Sequence, residues 1–128
     1  MPEYVVGHEF VREPAALLKA GDIIATHTHN HHHNTHLTLG LWEVHRFQPI
    51  VDGEGVQKRG ADGQPEWTAL PVLTVKGGGP GSIIPIPGNM RHKFVVIEGP
   101  AFYRCCFVHR DAEGRPSEVY HGYDSAYV

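Results

Sequence analysis

Six of the chain's eleven histidines fall within the ten residues His27-Thr28-His29-Asn30-His31-His32-His33-Asn34-Thr35-His36, and His92 follows in Pro87-Gly88-Asn89-Met90-Arg91-His92. Neutral imidazole is the commonest protein ligand for iron, zinc, nickel and copper. Alternate residues of a strand share a face, so His27, His29, His31 and His33 converge if this run is extended. A ligand from a distant strand would close the set, and His92 is placed to be it. The opposing reading, a solvated loop that picks up metal adventitiously, leaves His92 unexplained.

Such a site needs strands to position it, and the punctuation of the chain supplies them. Fifteen glycines and ten prolines cut the sequence into short pieces rich in Val, Ile, Leu, Thr and aromatics, the pattern of an all-β protein. Expected strands run over 22–29, 35–47, 56–59, 67–75, 82–86, 92–98 and 102–110. Asp52-Gly53, Asp62-Gly63, Gly77-Gly78-Gly79-Pro80-Gly81 and Glu98-Gly99-Pro100 separate them. Turns at that frequency suit a sandwich or barrel. Only Glu13 to Ala20 offers a helix, with Pro14 in a first turn and Gly21 as cap, and a strand over Leu17 to Ala20 is the preferred reading. The polar tail from Asp111, with Tyr120, Tyr123 and Tyr127, is expected to wrap the barrel, a lid being the alternative.

At 128 residues and 14.2 kDa the chain reads as one domain, 1–128. Its net charge of -3 and singly scattered basic residues argue against nucleic-acid and membrane partners and favour a small-molecule ligand. No basic stretch followed by a long apolar one opens the chain, and no window approaches the ~18 apolar residues of a membrane span, so a cytoplasmic protein is expected. Cys105 and Cys106, adjacent in a strand, face opposite ways and read as reduced core or wall residues rather than a disulfide.

Two punctuated motifs frame the histidines. Gly21, His27, His29, His33 and Gly40 fit the spacing G-x5-H-x-H-x3-E-x6-G, with His33 in the Glu position. Gly81, Pro87 and His92 fit G-x5-P-x-G-x2-H-x3-N, with Asn89 for the inner Gly and Val96 for the final Asn. In these motifs, spanning residues 21–40 and 81–96, the chain resembles the cupins. The resemblance implies a cupin-type double-stranded β-helix, a jelly-roll barrel, and a metal held by His27, His29, His33 and His92. It also implies a homodimer formed through outer strands, for which the stretch with Val5, Val6 and Phe10 would serve as an edge.

A second frame, His29, His31 and His36 with His92, is a permitted cupin spacing too. With His33 inward and no bulge, Thr35, Leu37, Leu39 and Leu41 share its face; with His36 inward, Thr38, Gly40 and Trp42 do. The first frame buries more apolar surface, at roughly 25 cal/mol per Å², and is preferred, leaving His31 and His36 as neighbours of the site. His8, His45, His109 and His121 are isolated and receive no role.

Four neutral imidazoles leave a divalent transition metal its full charge and, in an octahedral ion, two open positions for a chelating substrate. Fe(II) is favoured, with Ni, Zn, Mn or Cu as alternatives. Resemblance to all-His iron cupins implies a dioxygenase acting on a dicarbonyl, thiol or diol. A non-oxidative isomerase, lyase or hydrolase would need a side-chain base, for which Glu43, Glu98, Tyr103 and His109 are candidates. A non-catalytic metal- or ligand-binding barrel is the third class. Gly77 to Gly81 lacks the Lys and Ser/Thr of a phosphate loop and reads as a turn. The site wall should include Phe94 and Val96, plus either Phe102, Arg104 and Cys106 or Tyr103, Cys105 and Phe107. An inward Arg104 would suit an anionic substrate and an inward Tyr103 a neutral polar one.

Overall fold

The computed structural model describes residues 3–6, 9–29, 32–108, 113 and 125–127. These residues form nine strands: β1 (Glu3–Val6), β2 (Glu9–Arg12), β3 (Ile23–His29), β4 (His33–Pro49), β5 (Trp67–Ala69), β6 (Leu73–Lys76), β7 (Ile83–Ile86), β8 (Arg91–Val108) and β9 (Ser125–Tyr127). Every pairing is antiparallel. Two long strands organise the rest: β8 pairs with β2, β3 and β4, while β4 pairs along its length with β5, β6, β7 and β8. The fold is an all-β jelly-roll barrel. Among the described residues there is no helix, hence none long and apolar enough to cross a membrane.

Several expected elements are corrected. The segment 13–20 is neither helix nor strand: Leu18 forms a single two-way bridge with Ala101, at 2.8 Å in each direction. No strand covers 56–59. Asp52 Oδ1 accepts from the amides of Glu54 and Val56, and the tight turns at Asp52 and Asp62 leave only the isolated bridges Val51–Gln57 and Arg59–Pro65. The stretch 67–75 breaks into β5 and β6, because Pro71 has no amide to donate to a ladder. Glu98-Gly99-Pro100 does not end a strand: β8 continues through it, with Gly99–Pro100 cis. The Val5–Phe10 stretch spans β1 and β2, which pair with each other and through β2 with β8, so β1 is the sheet edge.

The irregularity that matters most lies in β4. Its pairing with β8 shifts register between Leu37 and Trp42. The buried set accordingly changes from His33, Thr35 and Leu37 to Trp42 and Val44. Leu39, expected to share the face of His33, is 43% exposed, and Leu41 is half-buried. Gly40 makes the shift possible. Its φ is +94°, and a Cβ there would lie 2.6 Å from the Cβ of Ala101, so both backbone and space demand glycine. Trp42 Nε1 donates to Leu39 O at 2.9 Å, closing the bulge from inside. Beyond it, Trp42, Val44, Phe94, Val96 and Tyr103 form the centre of the apolar core, with Trp42 edge-on to Tyr103 at 5.8 Å and to Phe94 at 6.4 Å.

Candidate metal centre

Alternation along β3 turns His27 and His29 inward and buries both, with Thr28 on the opposite face. His27 stands directly across the ladder from His92, which is 1% exposed. The turn before His92 depends on Asn89, whose φ of 64° fulfils the expectation that Asn replaces the motif's inner glycine. Asn89 N–H also donates to the carbonyl of His29 at 2.7 Å, and Met90 N–H to Pro87 O at 3.1 Å. The second motif is thereby fastened to the strand of the first.

Backbone carbonyls orient two of the rings. His27 Nδ1–H donates to Ala25 O at 2.6 Å, and His92 Nδ1–H donates to Met90 O at 2.8 Å. With the proton on Nδ1, the lone pair of each ring sits on Nε2 and faces the cluster. His27 Nε2 lies 2.9 Å from His29 Nε2, and ligand nitrogens of His27, His29 and His92 all lie within 4.8 Å of one another. Adjacent ligands at about 2.1 Å from a common metal stand about 3 Å apart, so the donor set fits a transition-metal ion. Burial lowers the pKa of His27, with the charge of Arg12 acting the same way and the bond to Ala25 opposing. Burial and the neighbouring His27 lower that of His92 to about 4 against the bond to Met90. Near pH 7 both rings are neutral, the form that ligates.

His33 is buried beside this set, its ring centroid 4.7 Å from that of His29 and 5.5 Å from that of His92, but it is not one of the three residues in the compact group. His31 lies outside the described residues. His36 is half-buried on the other face of β4, across from Ile83 and Arg104. Of the expected wall residues, Phe94 packs edge-on to His92 at 5.8 Å and Val96 is buried. On the second half of β8, Tyr103 is inward, and Cys105 Sγ lies 3.7 Å from Thr35 Oγ1. The two cysteines are not bonded to each other. Arg104 is exposed and its Nε donates to Glu13 Oε2 at 3.0 Å, which excludes the alternative wall through Arg104. Of the candidate bases, Glu43 is bonded to His45 at 2.6 Å on the outer face, Glu98 is exposed, and His109 lies outside the described residues. At the end of the chain, β9 returns to pair with the strand carrying His27 and His29. Apart from the exposed Glu113, the rest of the expected tail lies outside the described residues.

Arg46 was not foreseen from the spacing. Beyond the bulge the register of β4 against β8 is unbroken, so Trp42, Val44 and Arg46 share the inward face, and Arg46 stands opposite His92. Its signal in the sequence is the alternation that starts at Trp42, readable only once the bulge is known.

Solved structures that share this fold include two hydroquinone dioxygenases. One is hydroquinone 1,2-dioxygenase from Sphingomonas sp. TTNP3 with 4-hydroxybenzoate bound: TM-score 0.52, 13% identity, covering 79% of this chain and 59% of that one. The other is hydroquinone 1,2-dioxygenase PnpCD in complex with Cd2+ and 4-hydroxybenzonitrile: TM-score 0.50, 16% identity, covering 80% of this chain and 58% of that one. The chain thus spans about three fifths of the length of these structures, and at such identity the likeness is one of fold. No protein-family model and no curated protein matches the chain.

Proposed function

We propose that the chain is a mononuclear metal-dependent dioxygenase that takes Fe(II) and a small chelating organic substrate of the diol, dicarbonyl or thiol type. His27, His29, His33 and His92 are its ligands, His33 adding a fourth imidazole to the compact three. The observation that carries the reading is the convergence of buried imidazole nitrogens, two of them on rings fixed by Nδ1 bonds to backbone carbonyls. The fold is also that of two dioxygenases, one solved with Cd2+ and both with phenolic ligands. A bound Fe(II) ion would supply Lewis acidity and an open position where dioxygen and a chelating substrate meet.

The remaining work belongs to the chain. The bonds to Ala25 and Met90 hold the His27 and His92 rings so that no reorganisation is needed when the ion and substrate arrive. Phe94, Val96 and Tyr103 carry the apolar core up to the histidines, Phe94 packing edge-on to His92, and keep that end of the barrel dry. Of the four candidate bases, Tyr103 is the one that faces the interior among the described residues. Neither Glu43 nor Glu98 faces the interior, so among the described residues a proton-moving isomerase or lyase would be left with Tyr103 alone.

Elemental analysis of the isolated protein should find about one transition metal per chain, with His92→Ala and His33→Ala both depleted. Undiminished metal in both variants would overturn the ligand assignment. The Fe(II)-loaded protein should consume O₂ with a catechol, a β-diketone or a small thiol in an oxygen electrode. Turnover without O₂ uptake would replace the dioxygenase by a non-oxidative enzyme, and no turnover with any of them would leave a binding barrel.

A further inference from the structure

We propose that Arg46 is the specificity residue of this site and that it recognises a carboxylate on the substrate. This rests on the reading of the histidine cluster as the substrate-holding metal centre, and it adds the class of molecule bound there: an organic acid whose carboxylate lies away from its metal-directed group.

The argument begins with register. His27 on β3, His92 on β8 and Arg46 on β4 form one cross-strand row, since His27 pairs with His92 and His92 with Arg46. Residues directly opposite in an antiparallel ladder project from the same face, so all three point into the barrel. The strand spacing sets Arg46 about 5 Å from His92 along the row, and its long side chain extends that reach.

The second step is chemical. His27 and His92 spend their Nδ1 protons on backbone carbonyls, so toward the interior they offer lone pairs and no donor. They can take a metal but cannot bind a carboxylate. Arg46 is the opposite case, all donor and permanently charged. Its Nε is buried without a hydrogen-bond partner, and no carboxylate of the described residues pairs with it. The other arginines of these two strands point elsewhere: Arg91, whose Nε is likewise buried without a hydrogen-bond partner, lies over the rings of Phe47 at 5.1 Å and Trp67 at 5.9 Å on the outer face, and Arg104 is bonded to Glu13. A half-buried guanidinium lacking a counter-charge gains most from an anion that brings two acceptor oxygens. The surroundings agree, for Arg12 adds positive potential at His27 and no Asp or Glu belongs to the clustered group. A divalent ion would make this interior more positive still.

The test uses the Zn(II)-loaded full chain and isothermal titration with two matched catechols. Protocatechuate carries a ring carboxylate, and its amide is the neutral isostere. Wild type should bind the acid at least tenfold more tightly than the amide. Arg46→Gln should abolish that preference while leaving the amide's Kd within twofold, and Arg46→Lys should keep part of it. Equal affinities in wild type, failure of both to bind, or a preference that survives Arg46→Gln would each overturn the assignment. Zinc content of the same samples separates the two readings. Full zinc without an Arg46-dependent preference removes Arg46 alone, whereas an Arg46-dependent preference undiminished in metal-free His92→Ala removes the metal centre and keeps the carboxylate site.

Discussion

At one end of β8, His92 shares the barrel interior with His27, His29 and His33; further along, Phe94, Val96 and Tyr103 share it with Trp42 and Val44. Water is excluded equally well at both, His92 and Phe94 each being 1% exposed. What differs is the free energy of that exclusion. The apolar end gains from burial, whereas the imidazole end sacrifices hydration and recovers it only through a few hydrogen bonds or a bound ion. The apolar half therefore supplies the stability that lets the polar half stay dry and preorganised.

The largest effect should come from the apolar end. Trp42→Ala removes the largest fully buried side chain, two edge-on ring contacts and the bond to Leu39 O. A loss of about 3 to 5 kcal/mol is expected in urea unfolding. The folded fraction should keep its metal stoichiometry, because Trp42 touches none of the histidines through the contacts above. If metal is lost in proportion to stability, the two ends are not separable.

Gly40→Ala tests the joint between them. The new methyl must meet Ala101 at 2.6 Å and hold a positive φ, which together should cost about 2 to 4 kcal/mol. Ala101→Gly in the same chain should recover only the part due to the Ala101 methyl, because Ala101 Cα at 2.9 Å, Glu98 O at 3.0 Å and the positive φ all stay. Absence of any recovery would mean that the Ala101 methyl is not what selects glycine.

The polar end should show itself in acid. In the folded metal-free chain His92 takes up its proton only near pH 4, while in the unfolded chain it does so near 6.5. Between these values the unfolded state holds more protons, so stability is full above about pH 6.5, falls as the pH drops and levels off below about 4. His92 contributes at most about 3 kcal/mol to that fall, and the lowered His27 acts in the same direction. His92→Leu should flatten the profile measured by urea midpoints from pH 4 to 7. A wild-type midpoint that rises on acidification would contradict a buried neutral imidazole.

How much of this could be read from the chain depends on whether a local rule sufficed. The parity of His27 and His29 and the left-handed turn at Asn89 follow from neighbouring residues alone, and the structure has both. Continuity of β8 through Gly99–Pro100 does not, because local turn chemistry argues for a break that pairing with β4 overrides. The same holds for the inward Arg46 and the outward Leu39. Both follow from one register shift, and Gly40 marks its place in the sequence without saying that the strand goes on beyond it.

The smallest predicted effect bears on that shift most directly. Leu37 and Leu39 are two residues apart in β4, identical in type and, in an unbroken strand, equivalent in facing; the bulge leaves Leu37 1% exposed and Leu39 43% exposed. Leu37→Ala should cost about 2 to 5 kcal/mol, as for a large side chain removed from a packed core. Leu39→Ser should cost far less, within about 1 kcal/mol, since its side chain is already 43% exposed. The carbonyl of Leu39, which accepts from Trp42 Nε1, is unaffected by the substitution, so the bulge itself survives. Comparable losses at the two positions would restore the unbroken strand, turning Trp42, Val44 and Arg46 outward together and removing the carboxylate-binding role of Arg46 with them.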